Sequence, residues 1–463
     1  MKSPKIVNWF TLLNTRVDPA SLACFRILFG LNLSLYVFLL FPPAEIEYYF
    51  IQPKFFFSFS LFDILHLKPW PPSGMYIHFL VMGIAAIGIM LGIGYRLSLL
   101  IFFVTFGYTF LLEKCAYNNH YYLVLLLTML LFFMRADSAF SISFVNKKNT
   151  RHGIPLWNIL LLRAQFLILY FFAGVAKLTP DWLQGTQLRI WLDEISDRPF
   201  VGPLLTADWS SLLFSYTGLL FDLSIGFLLC YKKTRWWAFG LVIIFHAINK
   251  WIFDIGIFHY LGIASLILFM DPDQPRVMIN KIRNRFRLPA LRIKLTEDLK
   301  PTPPQAYYLI IIYLISQIII PLRHLLYPGR KNWTHEGYRF AWNIKADDSG
   351  GYVRYFITDP RTQQTFQANP FEDITWHQMS MMSTQPDMIL QYAHHLRKKY
   401  IQRGIVNPII RAEALVSLNG RAIYPLIDPA INLAEIEYPL FSRANWILPH
   451  PDDYAKEKKK HIK

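Results

Sequence analysis

The chain is 463 residues long, 54 % hydrophobic, 16 % aromatic and 17 % charged, with a formal net charge of +16 and a mean hydropathy of +0.28. Soluble domains carry about 25 % charged residues, so this balance excludes a cytosolic globular enzyme and an intrinsically disordered chain. With three cysteines it also excludes a disulfide-stapled secreted fold, and it points instead to a membrane protein.

In chain order, IVNWFTLLN (6–14) reads as a short interfacial helix. Hydropathy then predicts spans at 19–41, 75–95, 97–113, 121–134, 159–178, 209–230, 236–249, 256–270 and 306–322. The runs 121–134 and 236–249 are short, as expected of helices that tilt, re-enter or face a cavity. No cleavable signal peptide pattern occupies the first 18 residues, so the first span is expected to act as its own insertion signal. Most Lys and Arg of the connections fall on the N-terminal side: Lys2, Lys5, Arg16, Arg96, Arg135, Lys147, Lys148, Arg151, Lys232, Lys233, Arg235 and the run from Arg276 to Lys300. The opposite connections hold fewer, namely Lys54, Lys68, Lys114, Arg189, Arg198 and Lys250. The positive-inside rule therefore puts the N-terminus in the cytoplasm, and an odd number of spans puts the C-terminal region outside. Orientation accounts for most of the net charge, and no nucleic-acid partner is expected. Cys24, Cys115 and Cys230 lie in or beside spans and leave the redox compartment open.

From Arg323 onward the composition becomes that of a soluble domain. Alternation in YRFAWNI (338–344), VRYFITD (353–359), ALVSLN (414–419) and AIYPLID (422–428) predicts strands, and Asn419-Gly420 is a hairpin signal. PDMILQYAHHLRKKYIQRG (386–404) predicts one amphipathic helix that begins at Pro386 and stops before Gly404. The expected fold class is an α-helical polytopic membrane bundle of about nine spans over 1–322, followed by an outer β-rich, β-sandwich-like domain with one amphipathic helix over 323–450. Residues 451–463 read as a charged tail.

Ionisable groups at membrane depth cost several kcal/mol by about the measured insertion scales and need a partner, a cavity or a function. An inner layer holds Arg26, Arg163 and Asp222, and their comparable depth permits an Arg163–Asp222 or Arg26–Asp222 ion pair, expected to be structural, with a proton or ion path as the alternative. An outer layer gathers His78, Asn118, Asn119, His120, Lys177, His246, Asn249 and His259, which describes a polar pocket opening outward. Singly, each would be an ordinary snorkelling or hydrogen-bonded side chain; their convergence from separate spans is what distinguishes them. The histidine spacings form no ligand motif and only Glu113 and Asp254 are carboxylates at that depth, so no metal is expected. A nucleophile elbow, a P-loop and a dinucleotide fingerprint are absent, which disfavours hydrolase, ATPase and NAD chemistry. Lys177 ends the apolar run LILYFFAGVAKL, where desolvation disfavours the ammonium and makes a neutral amine available as a base.

The runs YNNHYYL (117–123), YFFAGVAKLTPDWLQG (170–185), GLLFDLSIGFLL (218–229), FHAIN (245–249) and DIGIF (254–258) closely resemble the membrane part of vitamin K-dependent γ-glutamyl carboxylases. NWTHEGYRFAWNI (332–344), QYAHHLRKKY (391–400) and LIDPAINLA (426–434) continue the resemblance in the same order. It implies an integral-membrane, multi-pass enzyme with its C-terminal domain in the endoplasmic reticulum lumen or periplasm. It also implies a reaction that couples oxygenation of reduced vitamin K, a naphthohydroquinone, to removal of a γ-proton from peptidyl glutamate. Carbon dioxide then adds, giving γ-carboxyglutamate, vitamin K epoxide and water. By the same resemblance Lys177 is the hydroquinone base, Asn119 binds the quinone oxygen, His120 stabilises charge during the reaction, and His246 is a further catalytic histidine. Tyr338, Phe340 and Trp342 match the glutamate-substrate region. The implied partners are membrane lipid and a glutamate-containing protein or peptide, with dioxygen and carbon dioxide as co-substrates. The chain departs from the animal enzymes in having Ala176 before Lys177, in lacking their C-terminal extension and bridging cysteines, and in carrying His259. Two other functions compete: a quinone epoxidase or oxygenase without peptide carboxylation, and a transporter or lipid-binding sensor gated by the C-terminal domain.

Overall fold

The computed structural model describes residues 9–142, 153–199, 201–253, 256–293, 302–439 and 442–453. Asp254, the basic residues Lys147, Lys148, Arg151, Lys294 and Lys300, the first residues of the expected interfacial helix and the tail from 454 lie outside them. Within them, Trp9–Asn14 is helical.

Each apolar run forms a helix, because in hydrocarbon the backbone groups must be satisfied within the segment. Six helices are long and apolar enough to cross a membrane: Ala20–Leu39, Pro72–Leu91, Tyr95–Leu112, Trp157–Ala176, Asp208–Cys230 and Pro304–Leu326. Asn119–Phe133 and Phe258–Phe269 are shorter apolar helices. Arg235–Ile252 is helical too, but Arg235, His246, Asn249 and Lys250 dilute its hydropathy. By length and composition the described residues thus supply six spans rather than nine, and these mark an integral membrane protein. Trp157–Ala176 packs along Asp208–Cys230, and Arg235–Ile252 packs on Phe258–Phe269; these four helices surround the site.

The C-terminal region corrects the expected sandwich. Its described strands form one antiparallel sheet in the order Thr365–Gln367, Ser349–Thr358, Ile409–Leu418, Tyr424–Pro425. Two helices, Trp376–Ser383 and Pro386–Gln402, take the place of a second sheet. Val353, Tyr355 and Ile357 alternate onto the covered face, and the Tyr355 hydroxyl donates to the carbonyl of Ile389 at 3.0 Å. The hairpin signal is realised: Asn419 (φ 54°) and Gly420 (φ 70°) are both left-handed, and the Arg421 amide closes the turn on Leu418. Pro386 opens the longer helix and Gly404 (φ 95°) follows its end, as expected.

The strand expected at 338–344 is absent. Phe340 (φ 62°) and Trp342 (φ 56°) are left-handed, which breaks the extended repeat. The aromatic alternation instead serves burial against the helices. Phe340 packs on Tyr117 and Tyr122, and the fully enclosed Trp342 packs on Tyr122 at 5.0 Å between ring centres. This segment lies across the helix ends and reaches the pocket.

Candidate active site

Lys177 is the C-cap of Trp157–Ala176 and is 5 % exposed. Side chains of a helix lean toward its N-terminus, so the ammonium lies a turn deeper than its own backbone and donates to the Ala173 carbonyl at 3.3 Å. There it meets Asp222 of Asp208–Cys230 at 2.8 Å and donates to the Ile344 carbonyl at 2.9 Å. The Trp182 ring lies 5.2 Å from the same nitrogen. The TPDW stretch that follows is a short capped turn. The Thr179 side chain accepts from the Trp182 amide, and the Trp182 indole donates to the Ser215 carbonyl at 2.9 Å. Asp181 is held by Asn419 at 2.7 Å and by Arg421, so the hairpin of the C-terminal region clamps the turn that carries Lys177.

The expected pairing of Asp222 with Arg26 or Arg163 is overturned. Asp222 pairs with Lys177, while the arginines donate to carbonyls: Arg26 to Ile89 (3.3 Å) and Phe140 (2.7 Å), Arg163 to Leu268 (2.6 Å) and Met270 (2.8 Å). Helix ends leave such carbonyls unpaired, and a guanidinium has the donors to take two of them.

Lys177 and Asp222 line one pocket between these helices. Its walls are largely apolar, with Leu169, Phe214, Phe245, Ile248, Phe253 and Phe258 among them. Polar groups enter from Tyr170, His246, Asn249, His259 and Lys345. His246 Nε2 is 3.0 Å from the Tyr170 hydroxyl, and its buried Nδ1 has no hydrogen-bond partner. Gly262 makes room for this ring: a Cβ there would overlap it. His120 is not in the lining, and Phe258, which is, packs near both histidines, 6.2 Å from His120 and 5.7 Å from His246 between ring centres. The buried His120 Nε2 also lacks a partner. Asn119 donates to the Asn343 carbonyl at 2.9 Å and accepts from the Tyr117 hydroxyl at 3.1 Å.

The outer layer is therefore divided. Lys177, His246, His259 and Asn249 line one pocket, with Asn119 and His120 beside it. Asn118 is exposed, and His78 bonds the Thr105 carbonyl at 2.9 Å in a helix contact away from the pocket. Tyr338 donates to Asp347 at 3.0 Å, and Trp342 is a seat for its segment rather than a displayed surface. Tyr170 and the carbonyls of Asn343 and Ile344 were not foreseen; a tyrosine two turns before Lys177 on an apolar helix was the only available signal.

A second polar cluster joins the two parts of the chain. Asp387 lies between Lys114 (2.8 Å) and Arg339 (2.7 Å), all three buried or nearly so. Burial alone would raise the Asp387 carboxyl, but the two cations hold it well below the usual carboxylate range. Next to it, Glu113 accepts from the Cys115 amide at 2.8 Å and the Gln378 side chain at 2.6 Å, while burial pushes its carboxyl up to about 7.

No solved structure matches the chain. A family profile described as HTTM domain matches residues 14–274, and one described as vitamin K-dependent gamma-carboxylase, lumenal domain, matches residues 303–453. The helices that build the pocket thus fall in the first match and the segment bonded to Lys177 in the second. With both parts present in order, the chain belongs to the HTTM-domain family and carries the lumenal domain of the vitamin K-dependent gamma-carboxylase family.

Proposed function

We propose that the chain is an integral-membrane vitamin K-dependent γ-glutamyl carboxylase-like enzyme, with its C-terminal region in the lumen or periplasm. The overall reaction consumes hydroquinone, dioxygen, carbon dioxide and a glutamate γ-hydrogen, and it releases epoxide, γ-carboxyglutamate and water. One observation carries this reading: a buried lysine at the polar end of an apolar pocket, paired with Asp222 and bonded to Ile344 of the carboxylase-type region.

The residues fit a naphthohydroquinone. The walls suit an apolar bicyclic ring, and the unpartnered His246 Nδ1 suits a ring oxygen. Asn119 keeps a second Nδ2 hydrogen for the same purpose. When bound, reduced vitamin K with dioxygen supplies a base strong enough to remove the γ-hydrogen, which no side chain is. Lys177 and Asp222 supply the weaker step. Nζ passes a proton to Asp222 Oδ2 across 2.8 Å and takes one from a hydroxyl, leaving the carboxyl protonated and the ammonium restored. The Ala173 and Ile344 carbonyls take two of the Nζ hydrogens and Asp222 the third, which fixes the nitrogen in place. Tyr170 orients His246, and Phe245, Phe258 and Trp182 exclude water that would quench a carbanion. Tyr338 and Phe340 would meet the glutamate segment from the C-terminal side.

The test measures epoxide formation and incorporation of labelled bicarbonate into a Glu peptide in membranes bearing the protein or Lys177→Ala. Both products in the wild type and neither in the variant support the reading. Epoxide without label assigns a quinone oxygenase instead, and full activity of Lys177→Ala overturns the base assignment.

A further inference from the structure

The pocket holds two lysines in opposite situations. Lys177 is deep and neutralised by Asp222. Lys345 is exposed at the mouth, one residue past the carbonyl that binds Lys177, and makes no ion pair among the described residues. Its Nζ lies 5.3 Å from the Trp191 ring and 5.2 Å from the Phe253 ring, two aromatic walls of the same pocket. The two rings pack edge to face, 5.4 Å apart between centres, and the ammonium rests beside both, which holds a cation in place without neutralising it.

The backbone is also specific. Lys345 has φ 45°, the third left-handed non-glycine residue after Phe340 and Trp342 in this short segment. An ordinary solvent-exposed lysine has no reason to adopt that conformation, which persists only where surrounding contacts impose it. Here the contacts are Trp342 seated on Tyr122, Asn343 bonded to Asn119 and Ile344 bonded to Lys177. They deliver the Lys345 ammonium to the pocket mouth.

We propose that Lys345 recognises the side-chain carboxylate of the glutamate substrate at the mouth of the Lys177 pocket. The inference rests on the carboxylase reading and goes beyond it by naming the cation that selects the acidic side chain. Glutamate presents its carboxylate on the carbon next to the one already attached to the chain's backbone side, and the reacting γ-carbon bears that carboxylate directly. Loss of the γ-proton adds negative charge beside the carboxylate, and the product carries two carboxylates on one carbon. A cation with no ion-paired carboxylate among the described residues meets both needs.

The experiment uses the full-length protein in lipid nanodiscs, a capped Glu-containing pentapeptide and its Gln counterpart. Equilibrium binding and the KM for carboxylation are measured for the wild type, Lys345→Met and Lys345→Arg. Losing a charged hydrogen bond to carboxylate raises Kd and KM for the Glu peptide about 10- to 100-fold in Lys345→Met. Lys345→Arg restores most of the affinity, which also excludes a folding defect of the position, and binding of the Gln peptide changes little in either variant. Equal Glu-peptide Kd and KM in wild type and Lys345→Met overturn the inference while the carboxylase reading stands. A wild type that prefers Glu over Gln through Lys345 yet incorporates no label upholds the recognition site and overturns the reaction. A wild type without any Glu preference in binding overturns the site.

Discussion

Asn119 and Lys177, on different helices, donate hydrogen bonds of 2.9 Å each to the carbonyls of the consecutive residues Asn343 and Ile344. A single stretch of backbone therefore sets the position of both side chains. Any movement of the C-terminal region that withdraws this segment removes an acceptor from each at once, so the site is complete only when the two parts of the chain are docked.

The Lys177–Asp222 pair separates stability from activity. Asp222→Ala leaves a buried ammonium without its carboxylate and is expected to cost about 3–5 kcal/mol, read as a lower melting temperature. The double replacement Lys177→Met with Asp222→Leu removes both charges and recovers most of that loss, yet forms no epoxide. A double variant as unstable as Asp222→Ala would show that the pair does not act as a unit.

Gly262→Ala tests the placement of His246. Alanine favours a helix by about 1 kcal/mol over glycine, so on propensity alone the change stabilises. In this helix the new Cβ overlaps the His246 ring and displaces it from Tyr170. Epoxide formation is expected to fall by at least about tenfold, the scale of one misplaced catalytic contact; unchanged turnover would remove His246 from the mechanism.

Asp387 ties the segment before the Asn119 helix to the C-terminal region. Asp387→Ala strands the Lys114 and Arg339 charges together and is expected to cost about 3–5 kcal/mol, detected as faster proteolysis of residues after 323. Because the cations hold the carboxyl below its unfolded value, its contribution is present above about pH 4 and is lost only as pH falls lower. The Asp387 carboxyl thus stays ionised across the neutral range.

Glu113 has the opposite sign. Burial raises its carboxyl to about 7, so the folded protein keeps a proton that the unfolded chain releases above about pH 4.5. Its stabilising contribution is complete below that pH and is lost as pH rises through about 7. Thermal melts between about pH 5 and pH 8 are expected to fall with rising pH in the wild type, and this part of the slope disappears in Glu113→Gln. An unchanged slope would place the titration elsewhere.

Much of this architecture is written in local pattern. Apolar runs form the helices because lipid leaves the backbone no other partners. Pro386 and Gly404 bound a helix, and Asn419-Gly420 closes a hairpin, because each residue has the required backbone conformation. The family resemblance was legible from the runs around Lys177 and 332–344, and the family profiles cover both.

What the linear order determined, then, is the helical region, the C-terminal strands and the lysine at the pocket. The tertiary structure alone decided which groups meet. Depth counted along the chain put Lys177 and Asp222 in different layers, but a side chain that leans back by a turn closes the gap. Alternating aromatics at 338–344 spelled a strand, but two left-handed residues and burial against Tyr122 made the segment a strap. Period-2 alternation records only which side chains seek burial; the surface that buries them is supplied by helices distant in sequence, and with it comes the delivery of Ile344 to Lys177 and of Lys345 to the pocket mouth.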